Sequence, residues 1–368
     1  MESARPYDEL VSYIALSAPA TRRPGTGDEP FLRPEFGFTP KWYRDAVGVD
    51  FGTRWHTDPG YRRSALVKMA REVRRRFPLL PIGQVEDPEA PTDLLTGIYG
   101  ASFVALLYGI PIEYQEDNWP WSAREHLDGE AVDRLEPPDL ESSAPFAELM
   151  GQLDWIERET GTVRGYLNWQ GVLNSAYRIR GEDLFLEMVR EPNRVHHLVS
   201  CVATTMIEGA QRLYARQREA GVDNRHFTVS NCLVNMVSPK HYEEFLLAHD
   251  RRIAESFGLI GIHNCAWNAN PYLDHYASVP DVAYVDMGLD SDLPKARSLF
   301  PAGRRALMYT PMEVRDKTSE QLRADLEQIA RQYGPCDLVF ADIESGTPDE
   351  RVLELARMCD EISAANEP

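Results

Sequence analysis

Phe257-Gly258-Leu259-Ile260-Gly261-Ile262-His263-Asn264-Cys265 is a short apolar run that stops abruptly at polar residues. Its length, its glycines and its aliphatic side chains read as a buried strand. On a strand, side chains two apart share a face. His263 and Cys265 therefore aim together beyond the strand end. An imidazole and a thiolate converging there can share a zinc ion or polarise a substrate.

The same pattern recurs on both sides of this run. Strands are predicted at 162–167, 226–229, 282–285, 305–309 and 338–340, with helices between them. Each strand runs into polar residues: Asn168 and Gln170; Ser230, Asn231 and Cys232; Asp286; Tyr309; Asp342 and Glu344. Short strands alternating with longer helices mark βαβ units and a parallel sheet. In such sheets functional groups gather at the C-terminal strand ends. Six strands here, with one or two earlier, predict an α/β fold, a (β/α)8 TIM barrel with an N-terminal extension. An open doubly wound sheet shares the pattern. No GxGxxG follows a strand and no GxxxxGK[ST] occurs, so nothing points to nucleotide phosphates.

Residues 91–368 are assigned to the barrel. Residues 1–90 are read as an extension and arm packed on it, within one structural domain. Breakers crowd 21–30, and 31–63 interleaves aromatics such as Phe36, Trp42 and Trp55 with arginines. That segment is expected to wrap the barrel body or cover its mouth. A basic helix is predicted over 64–76, an apolar helix over 93–108, and one long helix from Ser238-Pro239 to about Ser256.

The chain has 368 residues, 43% of them hydrophobic, which is ample for a large core. No apolar run approaches the roughly 18 residues of a membrane span. Met1 to Glu9 lacks a basic head followed by an apolar stretch, so a cytoplasmic location is expected. The net charge of −19 argues against nucleic acid as a partner, because phosphate binding needs clustered Lys and Arg. The five cysteines are widely spaced with no CxxC, which gives neither a zinc ribbon nor a disulfide framework.

Several pieces in order carry a family resemblance. They are Gly171-Val172-Leu173-Asn174 with Arg180-Gly181-Glu182-Asp183-Leu184, and the helix after Glu191-Pro192-Asn193. Val237-Ser238-Pro239-Lys240-His241-Tyr242, His263-Asn264-Cys265 with Pro271-Tyr272-Leu273-Asp274, and Gly346-Thr347-Pro348-Asp349-Glu350 follow. Over Asn168 to Ile362 the chain resembles the uroporphyrinogen decarboxylase superfamily, which includes methylcobamide-dependent methyltransferases. The resemblance implies a (β/α)8 barrel, often a homodimer, with its site in the mouth.

The decarboxylase branch carries an N-terminal arginine motif of the type RQAGRYLPE. Here Phe31-Leu32-Arg33-Pro34-Glu35-Phe36 keeps one arginine and lacks the rest. The methyltransferase branch holds zinc with an HxC and a distant Cys. His263 and Cys265 match the HxC. The third ligand is expected six residues before Thr347, where this chain has Ala341. Either Asp342 beside it, Glu344 or Cys232 substitutes, or the chain has lost the metal; Asp342 is taken as the candidate. The expected activity is methyl transfer between a corrinoid on a separate protein and a small-molecule acceptor. The alternatives are a cofactor-independent decarboxylase (carboxy-lyase) and a ligand-binding barrel without chemistry.

His263, Asp286 and Glu344 are the candidate catalytic residues, and His263, Cys265 and Asp342 the candidate metal ligands. Asn168, Gln170, Asn231 and Asn268 offer hydrogen bonds to a polar substrate, and Trp267 and Tyr309 offer aromatic walls.

Overall fold

The computed structural model describes residues 30–80, 82 and 90–366. The arm expected over 1–30 lies outside them, apart from residue 30. Strand β1 is Leu32–Phe38, and a small antiparallel hairpin pairs β2 (Ile112–Glu113) with β3 (Trp121–Ser122). The remaining strands are β4 (His226–Ser230), β5 (Leu259–His263), β6 (Val282–Gly288), β7 (Arg304–Tyr309) and β8 (Cys336–Ile343). Six of them form one parallel sheet in the order β1-β8-β7-β6-β5-β4. Among the described residues, no helix is long and apolar enough to cross a membrane.

Two further segments join this series between β1 and β4. Asp93 and Arg164 make a parallel bridge, and no ladder extends from it. Gly165, at φ 105°, breaks the regular strand expected over 162–167. The Asp93 side chain lies too close to Gly165 for a Cβ there. Where a ladder to β4 is missing, the Tyr166 hydroxyl substitutes: it accepts from the Thr228 amide at 3.0 Å and donates to the Thr228 carbonyl at 3.3 Å. With these segments the chain runs through eight βα units, the (β/α)8 TIM-barrel class.

Three expectations are corrected. Leu32–Phe38 belongs to the main sheet and pairs in parallel with β8, so the extension assigned to 1–90 contains a barrel strand. Pro34 hides this strand from a periodicity reading. It is tolerated because β1 lies at the edge of the six-stranded ladder. The apolar stretch 93–108 is helical only at Phe103–Leu107, because Asp93 caps a turn by accepting from the amides of Leu95 and Thr96. The helix expected over 239–256 is two, Pro239–Phe245 and Leu247–Phe257, broken at Leu246.

The aromatics of 31–63 sit in the core. Trp42, Tyr43, Phe51 and Trp55 are buried, and Arg62 is buried beneath them. The Arg62 guanidinium is spent on the carbonyls of Trp55 and Leu94 and on Gln152. It fastens this segment to the helix Ala144–Thr160 and offers nothing to a substrate.

Side-chain alternation sorts the sheet into two faces. Tyr284, Ala306, Met308, Val339 and Ala341 form a separate small cluster, with Ala266 packed against it. On the same face, nearer the strand starts, Arg304 pairs with Asp337 at 2.5 Å. Arg33 reaches Asp337 at 3.2 Å and Glu35 at 2.7 Å. These buried charges satisfy one another, as burial requires.

Candidate metal centre

β5 delivers His263 at its last residue, and β4 and β6 flank it. In register, His263 stands opposite Ser230 on one side and Asp286 on the other. Cys232 follows two residues after Ser230, and Cys265 two after His263. Among the described residues, one group of three His, Cys, Asp or Glu side chains has ligand atoms within 4.8 Å of one another: Cys232, His263 and Cys265.

Each member is fixed by its neighbours. His263 is buried, and its Nδ1 lies 2.6 Å from Asp286 Oδ2. That bond leaves Nε2 as the imidazole atom suited to a ligand. Asp286 is fully buried, and Oδ2 also accepts from the Tyr284 hydroxyl at 2.9 Å. Its Oδ1 accepts from the Cys265 amide at 3.0 Å. One carboxylate thus orients the histidine and holds the cysteine loop. Cys265 adopts φ 62°, uncommon for a residue with a Cβ. The Cys232 thiol and burial push the Cys265 thiol pKa up, and His263 opposes them.

Behind the three, buried polar residues pin the loops. The Asn231 amide donates to the His263 carbonyl at 2.7 Å. Asn231 Nδ2 is 3.4 Å from Asp250 Oδ2, which accepts from the Tyr242 hydroxyl at 2.5 Å. Asn174 Oδ1 accepts from the Leu233 amide at 3.1 Å, so Cys232 is anchored on both sides. Asn264 donates to the Trp267 carbonyl at 2.8 Å and accepts from the Tyr276 hydroxyl at 2.9 Å.

The donor set fits zinc. Tetrahedral zinc takes thiolate at about 2.3 Å and imidazole at about 2.0 Å, which puts ligands roughly 3.5–3.8 Å apart. Three protein ligands leave a fourth position for a reactant, and the carboxylate behind His263 is the usual outer partner of a zinc-bound histidine.

The other expected residues divide. Asn231 stands beside the group. Asn168 and Gln170 are buried at the end of the segment beside β4, and Asn168 Oδ1 accepts from the Gln170 amide at 3.0 Å. Gln170 Oε1 accepts from Asn174 at 2.7 Å. Trp267, 48% exposed, stands two residues after Cys265. Asn268 is exposed and caps a local turn at the Asn270 amide. Tyr309 lies on the outer face, its ring tilted against Phe340 with centroids 5.0 Å apart, where burial and then Asp325 raise its pKa. It walls no mouth, because its parity is opposite to that of Met308. Glu344 is exposed and meets Arg315 at 3.3 Å. Asp342 lies outside the cluster, and Cys232 occupies the third place expected for it. Sequence reasoning passed over Tyr284 and Asp250. The parity of Tyr284 with Asp286 signals the first; the second, inside a charged helix, carries no signal.

The family model described as uroporphyrinogen decarboxylase (URO-D) matches residues 89–340. No curated protein matches the chain. Among solved structures, a methyltransferase from Methanosarcina mazei superposes with a TM-score of 0.64 at 15% identity, covering 98% of this chain and 96% of that one. At that identity the likeness speaks for the fold.

Proposed function

Since the chain belongs to the uroporphyrinogen decarboxylase (URO-D) family, we propose that it is a methyltransferase of that family whose zinc is held by Cys232, His263 and Cys265. The observation that carries this reading is the convergence of these three ligand atoms at the ends of β4 and β5. When bound, zinc supplies a lowered pKa for an acceptor thiol, so that sulfur is a nucleophile near neutral pH. The thiol gives up its proton to solvent, its sulfur forms a bond to the methyl carbon, and the carbon–donor bond breaks with both electrons left on the donor. The donor proposed is a methyl corrinoid carried by a separate protein.

The chain's own residues prepare this. Asp286 holds the His263 tautomer and the Cys265 loop together. Asn174 and the Asp250–Asn231 pair hold Cys232 against them. Ala306, Ala341 and Ala266 make the adjoining surface apolar.

A decarboxylase reading is disfavoured by Arg33. A cofactor-free decarboxylase needs free cations for its substrate's carboxylates. Arg33, the remnant of the arginine motif, is half-buried and already paired with Glu35 and Asp337.

The test is metal content of protein purified without chelators. One zinc per chain, lost in Cys232→Ala, His263→Ala and Cys265→Ala and kept in Asp342→Ala, is expected. Metal-free wild type, or carbon dioxide release from candidate acids without zinc, would reject the proposal and favour a lyase or a binding barrel.

A further inference from the structure

Asp342 is left unused by the metal centre, and its setting is unusual. β1 and β8 stay in register to Phe36 and Phe340, then Phe38 pairs with Ile343. Two steps on β1 face three on β8, which is a β-bulge at Ala341 and Asp342. Asp342 takes φ 55°, the left-handed region. Bulges beside active sites re-aim side chains, and strained non-glycine residues gather at functional positions. The bulge falls at the C-terminal end of a barrel strand. Ala341 belongs to the cluster that Ala266, the neighbour of Cys265, packs against.

The carboxyl of Asp342 is surrounded by protein deeply enough that burial raises its pKa to about 6, yet the residue keeps accessible surface. The residue is thus enclosed by protein without being sealed off. An ionised carboxylate offers about four acceptor sites. The partner seen here is the Trp119 side chain, from the loop joining β2 to β3. Among the described residues, no Lys, Arg or His forms an ion pair with Asp342. Trp119 packs edge-on against Phe51, with centroids 6.0 Å apart. An anion lacking a counter-charge beside aromatic rings is matched by an ammonium group, which pairs with the carboxylate and lies well against the rings.

We propose that Asp342 and Trp119 form a subsite for an ammonium group on the acceptor, so that the thiol taken by this chain is a cationic aminothiol. The proposal rests on the thiol-acceptor reading above; the ammonium recognition itself does not need zinc.

The experiment compares two matched probes, cysteamine and its neutral counterpart 2-mercaptoethanol, by calorimetric titration of wild type and Asp342→Asn, each zinc-loaded and zinc-free. Asn tolerates the left-handed backbone, so the variant is expected to fold, with its zinc content unchanged. A thermal melt checks the fold. Asp342→Gly, free of the backbone strain, is the second variant. Wild type is expected to prefer cysteamine by at least about tenfold, the scale of a hydrogen bond to a charged group. The preference is expected to fall to near one in both variants. No preference in wild type, or one that survives both substitutions, overturns the proposal. A preference that depends on Asp342 in protein unable to bind zinc upholds the subsite and sinks the zinc reading instead.

Discussion

His263 and Asp286 face each other directly across the β5–β6 ladder, and their side chains meet at 2.6 Å. The sheet register therefore sets this pair, since a slip by one residue would turn one partner to the other face. Outer partners of this kind are worth about 10–100-fold in metal affinity. Asp286→Asn is expected to weaken zinc binding by that amount in a competition titration with a chromogenic chelator. Asp286→Ala also leaves the Tyr284 hydroxyl and the Cys265 amide without their acceptor. It is expected to cost roughly 1–3 kcal/mol of stability for each group left unpaired.

On the proposed reading, Cys232 takes the ligand role that the family resemblance gives to position 341. Ala341 lies on the inner face beside the Cys265 loop, so a thiol placed there would point toward the same space. Cys232→Ala is expected to abolish stoichiometric zinc. Adding Ala341→Cys to that variant is expected to restore it, read by elemental analysis. Failure of the double variant to regain metal would mean that the β8 position no longer reaches the site.

Gly288 ends β6, and a Cβ built on it would collide with the Ala266 carbonyl. Ala266 is backbone on the Cys265 loop, so the loop must move if Gly288 gains a methyl. Gly288→Ala is expected to lower zinc affinity at least about tenfold through loss of ligand alignment, while circular dichroism stays that of wild type. Unchanged affinity would show that the loop position does not set the ligand geometry.

Asp250 is buried, and burial raises its pKa from 3.8 to about 6. The folded state thus holds this proton more tightly than the unfolded chain does. By linkage the group's contribution to stability is greatest below about pH 4 and declines as pH rises to about 6. Asp250→Asn keeps an acceptor for the Tyr242 hydroxyl and removes the titration. Urea midpoints measured from pH 4 to 7 are expected to show a shallower decline in the variant.

The C-terminal half of the fold was legible because each strand there is a compact apolar run ending in polar residues. Leu259–His263 and Val282–Gly288 are of this kind. The first barrel strand was not, because Pro34, Arg33 and Glu35 disguise it, and its pairing with β8 joins residues some 300 apart. At the site, His263 and Cys265 were legible from two-residue spacing. Cys232 was visible as a strand-end thiol, but its choice over Asp342 depends on which side chains the barrel brings together. Tyr309 and Glu344 misled because being near a strand end does not fix the face. One parity step separates Met308, turned inward, from Tyr309, turned toward the outer helices.

The buried ion pairs among Arg33, Glu35, Arg304 and Asp337 lie near the starts of β1, β7 and β8, at the far end from His263. Charges spent on one another at that end leave the polar strand ends around His263 as the side for ligands. On the proposed reading, acceptor and donor then share one entrance, and their order of arrival is dictated by size. The small thiol must already be seated when the bulky methyl carrier covers the opening, and the carrier must leave before the methylated product can. Such an enzyme is expected to be inhibited by an excess of its own carrier protein.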